Sequence, residues 1–507
     1  MHPTSEVAQA HFRTDHLDDS LGRRTALSGA AALASQGLKL LLQLGSTVVL
    51  ARLLAPEDYG LFAVVFSVVA FFSIFRETGL AAATVQSHEV NHAQVSTLFW
   101  IGLALCAVLT LATAVAAPFV GWIYGEPRLA PATLALSTGL FVTALGAQHR
   151  SLLRRQMRFA VLSAVEVCAF ALGIAAGIAA ALCGVRYWSL VVLQLTTAAA
   201  TTAGLWLVCG WRPGRPARGT GVRPLLAFGG HLTGFEVVSY LARNADFLLV
   251  GWFWGARQLG FYDKAFQLLL VPVMHVAMPL GSVAFPALSR LRGDARRFRE
   301  YFDRCVLLTA AAGMPFVLFL FVTADRAVPF VLGGQWADSV PLFRALAPAA
   351  LLGPLYSGVL WATTSLGQTR RQLAWGLVSS VVTLAGFVCG LRWGAFGVGL
   401  AFSLTRAALL VPTLRYCYKD SPLRWQETLR NVSRPALAAA IAALPVAWLE
   451  GRLPPTANAA RTLALEGALY VTLYACVWLA TSGGRRTLGE LSNLLRDFFR
   501  RREVKEA

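Results

Sequence analysis

Fourteen long apolar runs, separated by short connections that are either rich in arginine or nearly uncharged, dominate this sequence. They fall at 27–50, 61–75, 97–117, 130–148, 161–183, 188–209 and 225–254, then at 265–285, 305–323, 341–366, 373–391, 395–414, 432–449 and 463–480. A helix of this kind crosses about 30 Å of hydrocarbon and satisfies its backbone polar groups internally, which lipid cannot do for it. The expected fold is therefore an all-α integral membrane protein of about 14 transmembrane helices. Its function must lie in what crosses or sits in the bilayer.

Composition removes the ordinary alternatives. Of 507 residues, 56% are hydrophobic and 14% charged, whereas soluble domains are about a quarter charged. A net charge of +19 would suggest nucleic acid in a soluble protein, but its placement argues otherwise. With the amino terminus assigned to the cytoplasm, about 32 Lys and Arg fall on the inner side, about 9 outside and about 4 within spans. Inner clusters include Arg150, Arg154, Arg155 and Arg158, then Arg212, Arg215, Arg218 and Arg223, and later Arg290 to Arg304. The bias assigns both termini to the cytoplasmic side of the membrane. Topogenic charge and contact with anionic lipid then explain the basicity, and no nucleic-acid partner is expected. Eight cysteines without CxxC spacing read as apolar packers, so neither disulfides nor a metal site is expected.

The chain also carries a degenerate duplication at an offset of about 200 residues. Leu50-Ala-Arg-Leu-Leu-Ala-Pro-Glu-Asp-Tyr-Gly60 aligns with Val250-Gly-Trp-Phe-Trp-Gly-Ala-Arg-Gln-Leu-Gly260, and Phe66 with Phe266. Arg154-Arg155-Gln156 is echoed at Arg370-Arg371-Gln372, and 184–190 at 394–400. Six spans per half give the halves the same orientation, as parallel repeats. The expected division is a disordered tail 1–25, an N-lobe 26–210, a linker 211–224 and a C-lobe 225–416, followed by two more helices in 417–482 and a basic tail 483–507. The inner stretch 288–303 spaces Leu288, Leu291, Phe298 and Phe302 among charges, which suits a helix on the membrane surface. Trp188 and Trp336 suit interfacial anchoring.

A charge at mid-bilayer costs at least a few kcal/mol, so those that remain face a cavity or a partner. The first span holds Lys39 with Gln36 and Gln43 on the same face. The seventh holds His231, Glu236, Arg243, Asn244 and Asp246; Glu166 lies in the fifth and Arg406 in the twelfth. The three-residue spacing of Arg243 and Asp246 allows an ion pair that holds helices together, or an acid that binds a coupling ion. Gly173 and Gly177 form a GxxxG packing motif. There is no P-loop and no serine in a GxSxG setting, and no enzyme activity is expected.

With these residues in place, the chain resembles the polysaccharide transporter family, the Wzx-type flippases of lipid-linked oligosaccharides. It is most similar to the exopolysaccharide and colanic-acid-type branch, within the multidrug/oligosaccharidyl-lipid/polysaccharide exporter superfamily. The matching segments are 50–60, 154–159, 244–251, 259–262, 285–290 and 332–336. The resemblance runs from about Leu27 to Tyr416; beyond Pro422 only hydropathy matches. It implies two pseudo-symmetric six-helix lobes around a cationic cavity open alternately to each side. The implied cargo is an undecaprenyl-pyrophosphate-linked glycan. Lys39, Arg243 and Arg406 would be the cavity cations that replace water around the diphosphate. Gln36, Gln43, Glu166, His231, Glu236, Asn244 and Asp246 would be polar cavity residues, the acids among them posing the cations or taking a coupling H⁺ or Na⁺. No other cofactor is implied. Partners beyond the bilayer would be the polysaccharide polymerase and glycosyltransferases of the same pathway.

Two other readings remain. A drug or metabolite antiporter of the same superfamily would want acidic residues where the first span has Lys39. A membrane polysaccharide polymerase or ligase would want an outer loop longer than the roughly 17 residues available.

Overall fold

The computed structural model describes residues 21–77, 91–217, 223–452, 458–480 and 484. Side chains are described from residue 34 onward, except 76–77, 223–239 and scattered positions near 242, 271–283 and 369. The expected tails 1–20 and 485–507 and the linker residues 218–222 lie outside the described residues. Among those described, the backbone is helical with connecting turns and contains no strand.

Fifteen helical stretches follow one another in the described residues, one of which, α7, is two helices that meet at a kink at Gly255 (φ 76°). They are α1 (Leu21–Leu53), α2 (Pro56–Glu77), α3 (His92–Ile123), α4 (Leu129–Arg155), α5 (Phe159–Leu182), α6 (Trp188–Cys209), α7 (Arg223–Arg290) and α8 (Ala295–Val322). Then come α9 (Ala324–Leu332), α10 (Val340–Leu351), α11 (Gly353–Ser365), α12 (Thr369–Gly390), α13 (Gly394–Cys417), α14 (Trp425–Glu450) and α15 (Ala459–Ala480). Ten segments of the described residues are long and apolar enough to cross a membrane. One of them, Arg370–Cys417, holds both α12 and α13. The outward surfaces agree with lipid as the surrounding medium. On α3, Val108, Leu111, Val115, Phe119 and Trp122 are each at least 59% exposed at helical spacing, an apolar stripe that water would not tolerate.

Packing divides the chain into two compact units, residues 1–260 and 261–507. Within the first, α5 packs on α6 and on α1, and α4 packs on α3 and α6. The α5–α6 contact needs its glycines: a Cβ built at Gly173 would lie 1.9 Å from Thr197 Oγ1, and one at Gly177 2.8 Å from Leu193 Cβ. The second unit repeats the device on α12 and α13. There a Cβ at Gly386 would lie 2.7 Å from Thr405 Cγ2, and one at Gly390 2.5 Å from the Gly397 carbonyl oxygen. Small residues at four-residue spacing let helix backbones approach, which is how helices associate where lipid competes for apolar contact. The turns leading into the last helix of each set match as well, with Gly184 at φ 77° and Gly394 at φ 72°.

The duplicated motif around Gly60 and Gly260 is explained by direct contact. Pro56 opens α2, and Glu57 and Asp58 occupy its first turn. Asp58 reaches back to accept from the Ala55 N–H at 3.0 Å, so proline, acidic side chains and this side-chain contact all start the helix here. One turn on, a Cβ at Gly60 would lie 1.6 Å from the Ala256 carbonyl oxygen. A Cβ at Gly260 would lie 1.8 Å from the Pro56 carbonyl oxygen. The equivalent glycines thus bring two backbones together reciprocally, within the first unit.

Two expectations require correction, and one run proves to be divided. The stretch 288–303 is not a separate surface helix. Asp294 caps α8, accepting from the Arg296 and Arg297 N–H groups, and residues from Ala295 onward continue into the span. Leu288, Phe298 and Phe302 are fully buried in the core of the second unit rather than turned to lipid. Trp336 is likewise buried, edge-on to Phe261 at 6.0 Å, and anchors nothing at an interface. The run 341–366 is divided at Leu352–Gly353 into α10 and α11.

The last two helices are tied to the second unit by ions. Arg326 on α9 donates through Nη1 to Glu450 at 2.5 Å and to Glu466 at 2.8 Å. Glu466 is fully buried, so this three-membered cluster links α14 and α15 to α9.

Candidate functional site

The polar residues within spans fall into separate groups. In the first unit, the α4–α5 hairpin turns at Met157, which adopts φ 57°. Residues roughly two turns on either side therefore lie at similar depth, which brings Arg150 of α4 beside Glu166 of α5. Helix α1 packs along α5 and adds Lys39. Lys39 Nζ donates to Glu166 Oε2 at 2.6 Å, and Arg150 Nε stands 3.6 Å from Glu166 Oε1. The lysine and glutamate side chains are 27% and 24% exposed. Lys39 has no acid within its own span; its counter-charge comes from a helix 127 residues away. Glu166 thus stands between two cations contributed by two other helices. Arg150 also lines a cavity of about 330 Å³ with Ser73, Thr143, Gln194 and Thr197.

Gln36 on α1 is exposed and Gln43 half-buried. Farther along, Tyr240 donates to the Ser67 carbonyl at 2.8 Å, and Asn244 donates back to the Tyr240 carbonyl at 2.9 Å. This ties α7 to α2. Arg243 is exposed on that segment and Asp246 is 2% exposed. The side chains of His231 and Glu236 lie outside the described residues.

In the second unit, Arg406 of α13 lies over two rings. Its guanidinium carbon is 4.3 Å from the Tyr356 ring centroid and 5.2 Å from that of Phe402. Tyr356 Oη donates to the Arg406 carbonyl at 2.7 Å, locking ring and helix together. Among the described residues no carboxylate pairs with Arg406. Ring faces attract a desolvated cation by about 2 kcal/mol without neutralising its charge. A planar guanidinium in that state suits bidentate contact with a carboxylate or phosphate.

Some polar residues escaped sequence reasoning. Asp263 and Lys264 follow the Leu-Gly-Phe-Tyr segment and are buried. Gln267 links them, accepting from Lys264 Nζ at 3.0 Å and donating to both Asp263 oxygens at 2.8 and 2.9 Å. The charged pair directly before an apolar run was the available signal. Arg150 had been assigned to an inner loop as topogenic charge. The string His88-Glu89-Val90-Asn91-His92 also has the HExxH spacing of zinc peptidases. That chemistry needs both histidines on one helical face. Here α3 begins only at His92, behind an extended Asn91 cap (φ −110°, ψ 166°). His92 Nδ1 instead accepts from the Trp211 indole at 3.2 Å.

At the α2 and α4 starts, Arg128 pairs with Glu126 at 2.7 Å and also with Glu57. The hydrogen bond from Arg128 holds the Glu126 carboxyl below the usual glutamate range, and the two acids raise Arg128 in return.

Comparison with known proteins places this architecture. A family model described as "Polysaccharide biosynthesis protein" matches residues 49–341, more than half of the chain. The chain belongs to that family. It is 25% identical over 392 residues to the lipopolysaccharide biosynthesis protein WzxC of Escherichia coli (strain K12), spanning 76% of this chain and 79% of that one. It is also 25% identical over 409 residues to the succinoglycan biosynthesis transport protein ExoT of Rhizobium meliloti (strain 1021), spanning 79% and 81%. Among solved structures, the lipid II flippase MurJ in an inward closed conformation matches at a TM-score of 0.71, with 14% identity over 90% of this chain and 98% of that one. An inward-facing MATE multidrug resistance transporter of the MOP superfamily matches at 0.59, with 12% identity over 79% and 99%. At these identities the likeness is one of fold, and it agrees with the all-helical membrane architecture expected from the sequence. The motifs at 50–60, 154–159, 244–251, 259–262, 285–290 and 332–336 all lie within the family match.

Proposed function

We propose that this polysaccharide-family protein is a transporter. It flips an undecaprenyl-pyrophosphate-linked oligosaccharide from the inner to the outer leaflet of the bacterial inner membrane, by alternating access, for polysaccharide assembly. The observation that carries the reading is Arg406, a guanidinium inside a span, held by aromatic faces and paired with no carboxylate among the described residues. Leaving an intramembrane cation without a counter-ion costs several kcal/mol, so its retention makes sense if an anionic cargo completes it. A diphosphate supplies two negative charges and acceptor oxygens in the geometry guanidinium favours. The prenyl chain can remain in lipid while the head group exchanges water for protein donors.

The family relationship supports the glycan part of the reading. WzxC is a lipopolysaccharide biosynthesis protein, ExoT a succinoglycan biosynthesis transport protein and MurJ a lipid II flippase. On this reading Lys39 and Arg243 are further cargo-binding cations. Gln36, Gln43, His231 and Asn244 are polar lining, and Glu166, Glu236 and Asp246 pose the cations or accept H⁺ or Na⁺. The division into an N-lobe 26–210, a C-lobe 225–416 and two added helices, both termini in the cytoplasm, and a pathway shared with a polymerase and glycosyltransferases belong to the same proposal.

The test is polymer export in cells deleted for the chromosomal gene. Arg406→Ala should cut surface polymer at least tenfold while membrane abundance stays near the parent level. Arg406→Lys, which keeps charge but loses the planar fork, should restore part of it. Normal export by Arg406→Ala would remove the cationic basis of the proposal.

A further inference from the structure

We infer that Glu450 and Glu466 hold one proton between them beside Arg326, so that a protonatable carboxyl pair joins the last two helices to α9. The site lies in the second unit, and the inference does not depend on the transport reading above.

Two acids here share one cation. Arg326 Nη1 donates to Glu450 Oε2 at 2.5 Å and to Glu466 Oε1 at 2.8 Å. The side chains of Arg326, Glu450 and Glu466 are 11%, 12% and 0% exposed. The charged groups acting on Glu466 are Glu450 and Arg326, and the two carboxyl groups are within hydrogen-bonding reach of each other. Carboxylates only accept, so a hydrogen bond between two of them requires that one carry a proton. The second oxygen of Glu466, Oε2, is buried and has no hydrogen-bond partner among the described residues. A buried acceptor without a donor is costly, whereas a carboxyl oxygen that carries a proton is itself a donor. One added proton thus balances the charge of the three side chains and allows the acids to bond to each other.

The setting gives the proton an apolar seat and a way in. Glu450 ends α14, and Glu466 lies about two turns into α15. One turn from each acid stand Val446 and Tyr470, which belong to a buried apolar cluster packed on Phe319 and Val322. The Tyr470 ring is 5.4 Å from that of Phe319. Away from this layer, Glu450 and Arg326 line a cavity of about 590 Å³ with Phe321, Asp325 and Arg344. Arg344 pairs there with Asp325 at 2.6 Å, so those two charges offset each other. Glu466 does not line the cavity, and a proton therefore reaches it by way of Glu450. A metal ion would have to displace the guanidinium that already stands between the carboxylates, whereas a proton needs no such room. Loss of the proton would leave two buried anions on one guanidinium, so the joint between α9 and the α14–α15 pair weakens as the pH rises.

Infrared difference spectra of the purified full-length protein, taken between mildly acidic and mildly alkaline buffer, read the proton directly. The parent should show the carbonyl band of a protonated carboxylic acid that disappears on alkalinisation, and Glu466→Gln and Glu450→Gln should each lose most of that component. Melting gives a second readout. The parent's melting temperature should fall as the pH rises, because the folded state holds a proton that the unfolded state releases. In Glu466→Gln, a neutral isostere that needs no proton, at least half of that fall should vanish. Should Glu466→Gln fail to fold, Glu450→Gln at the cavity edge supplies both readouts. A parent that lacks the band, or a band and a pH response unchanged in both variants, would overturn the inference. A melting temperature that follows Na⁺ at fixed pH and ionic strength, and ceases to do so in Glu466→Gln, would put a metal ion in place of the proton and overturn it as well.

Discussion

Gly60→Ala is expected to destabilise the purified protein sharply and to stop transport, although it adds a single methyl group. That methyl would sit 1.6 Å from the carbonyl oxygen of Ala256, 2.5 Å from its carbonyl carbon and 2.9 Å from its Cα. All three atoms are backbone, so no side-chain rotation can relieve the overlap. The helices must part, at a cost of about 1–3 kcal/mol for overpacking and more for Gly60→Val. Gly260→Ala should behave alike, because its methyl would meet the Pro56 carbonyl at 1.8 Å. Gly376→Ala is the matching control: it lies in α12 with nothing within 4 Å of its Cβ position. Replacing an open mid-helix glycine by alanine is neutral or stabilising by up to about 1 kcal/mol. Thermal melts of the detergent-purified variants decide the matter. Gly60→Ala melting with the parent would mean that the close contact is not a feature of the folded protein.

Glu166→Gln is expected to have the next largest effect on stability. It leaves Lys39 and Arg150 in the same half-buried cluster with no carboxylate between them. Breaking one side of a buried pair costs about 3–5 kcal/mol, and the partial exposure of these groups brings the figure to the lower end or below. Combining Lys39→Met with Glu166→Gln removes both charges and should return the melting temperature to near the parent value. Transport should stay lost in the double variant, since the cation that meets cargo is gone. A strut and a binding residue are thereby separated: stability follows the balance of charge, and transport follows the cation. If Glu166→Gln melts with the parent, the ion pair contributes nothing and Lys39 is posed by other means.

Hydropathy was enough to find the helices, because lipid makes the same demand of every span and a run of apolar residues answers it wherever it occurs. Gly60 and Gly260 were also legible, since a repeated glycine at the start of a span points to a close approach. What hydropathy could not supply was pairing. Lys39 finds Glu166 across 127 positions, and Arg326 finds Glu450 and Glu466 across 124 and 140. Such partners are set by which helices pack together, and apolar runs of similar composition do not reveal that. The 288–303 stretch misled for a related reason. An amphipathic pattern reads the same whether its apolar face meets lipid or a protein core, and Phe298 and Phe302 meet core. Arg406 was visible as an intramembrane charge, but its seat on Tyr356 and Phe402 was not, because one ring comes from a helix 50 positions away.

The most direct test is flipping by the purified protein in liposomes, using polyprenyl lipids that carry the same oligosaccharide through a diphosphate or through an uncharged linkage. The parent protein should move the diphosphate lipid between leaflets and leave the uncharged one behind, and Arg406→Ala should lower the diphosphate rate at least tenfold. Equal movement of both lipids, unchanged by Arg406→Ala, would contradict a transporter that recognises its cargo by the diphosphate.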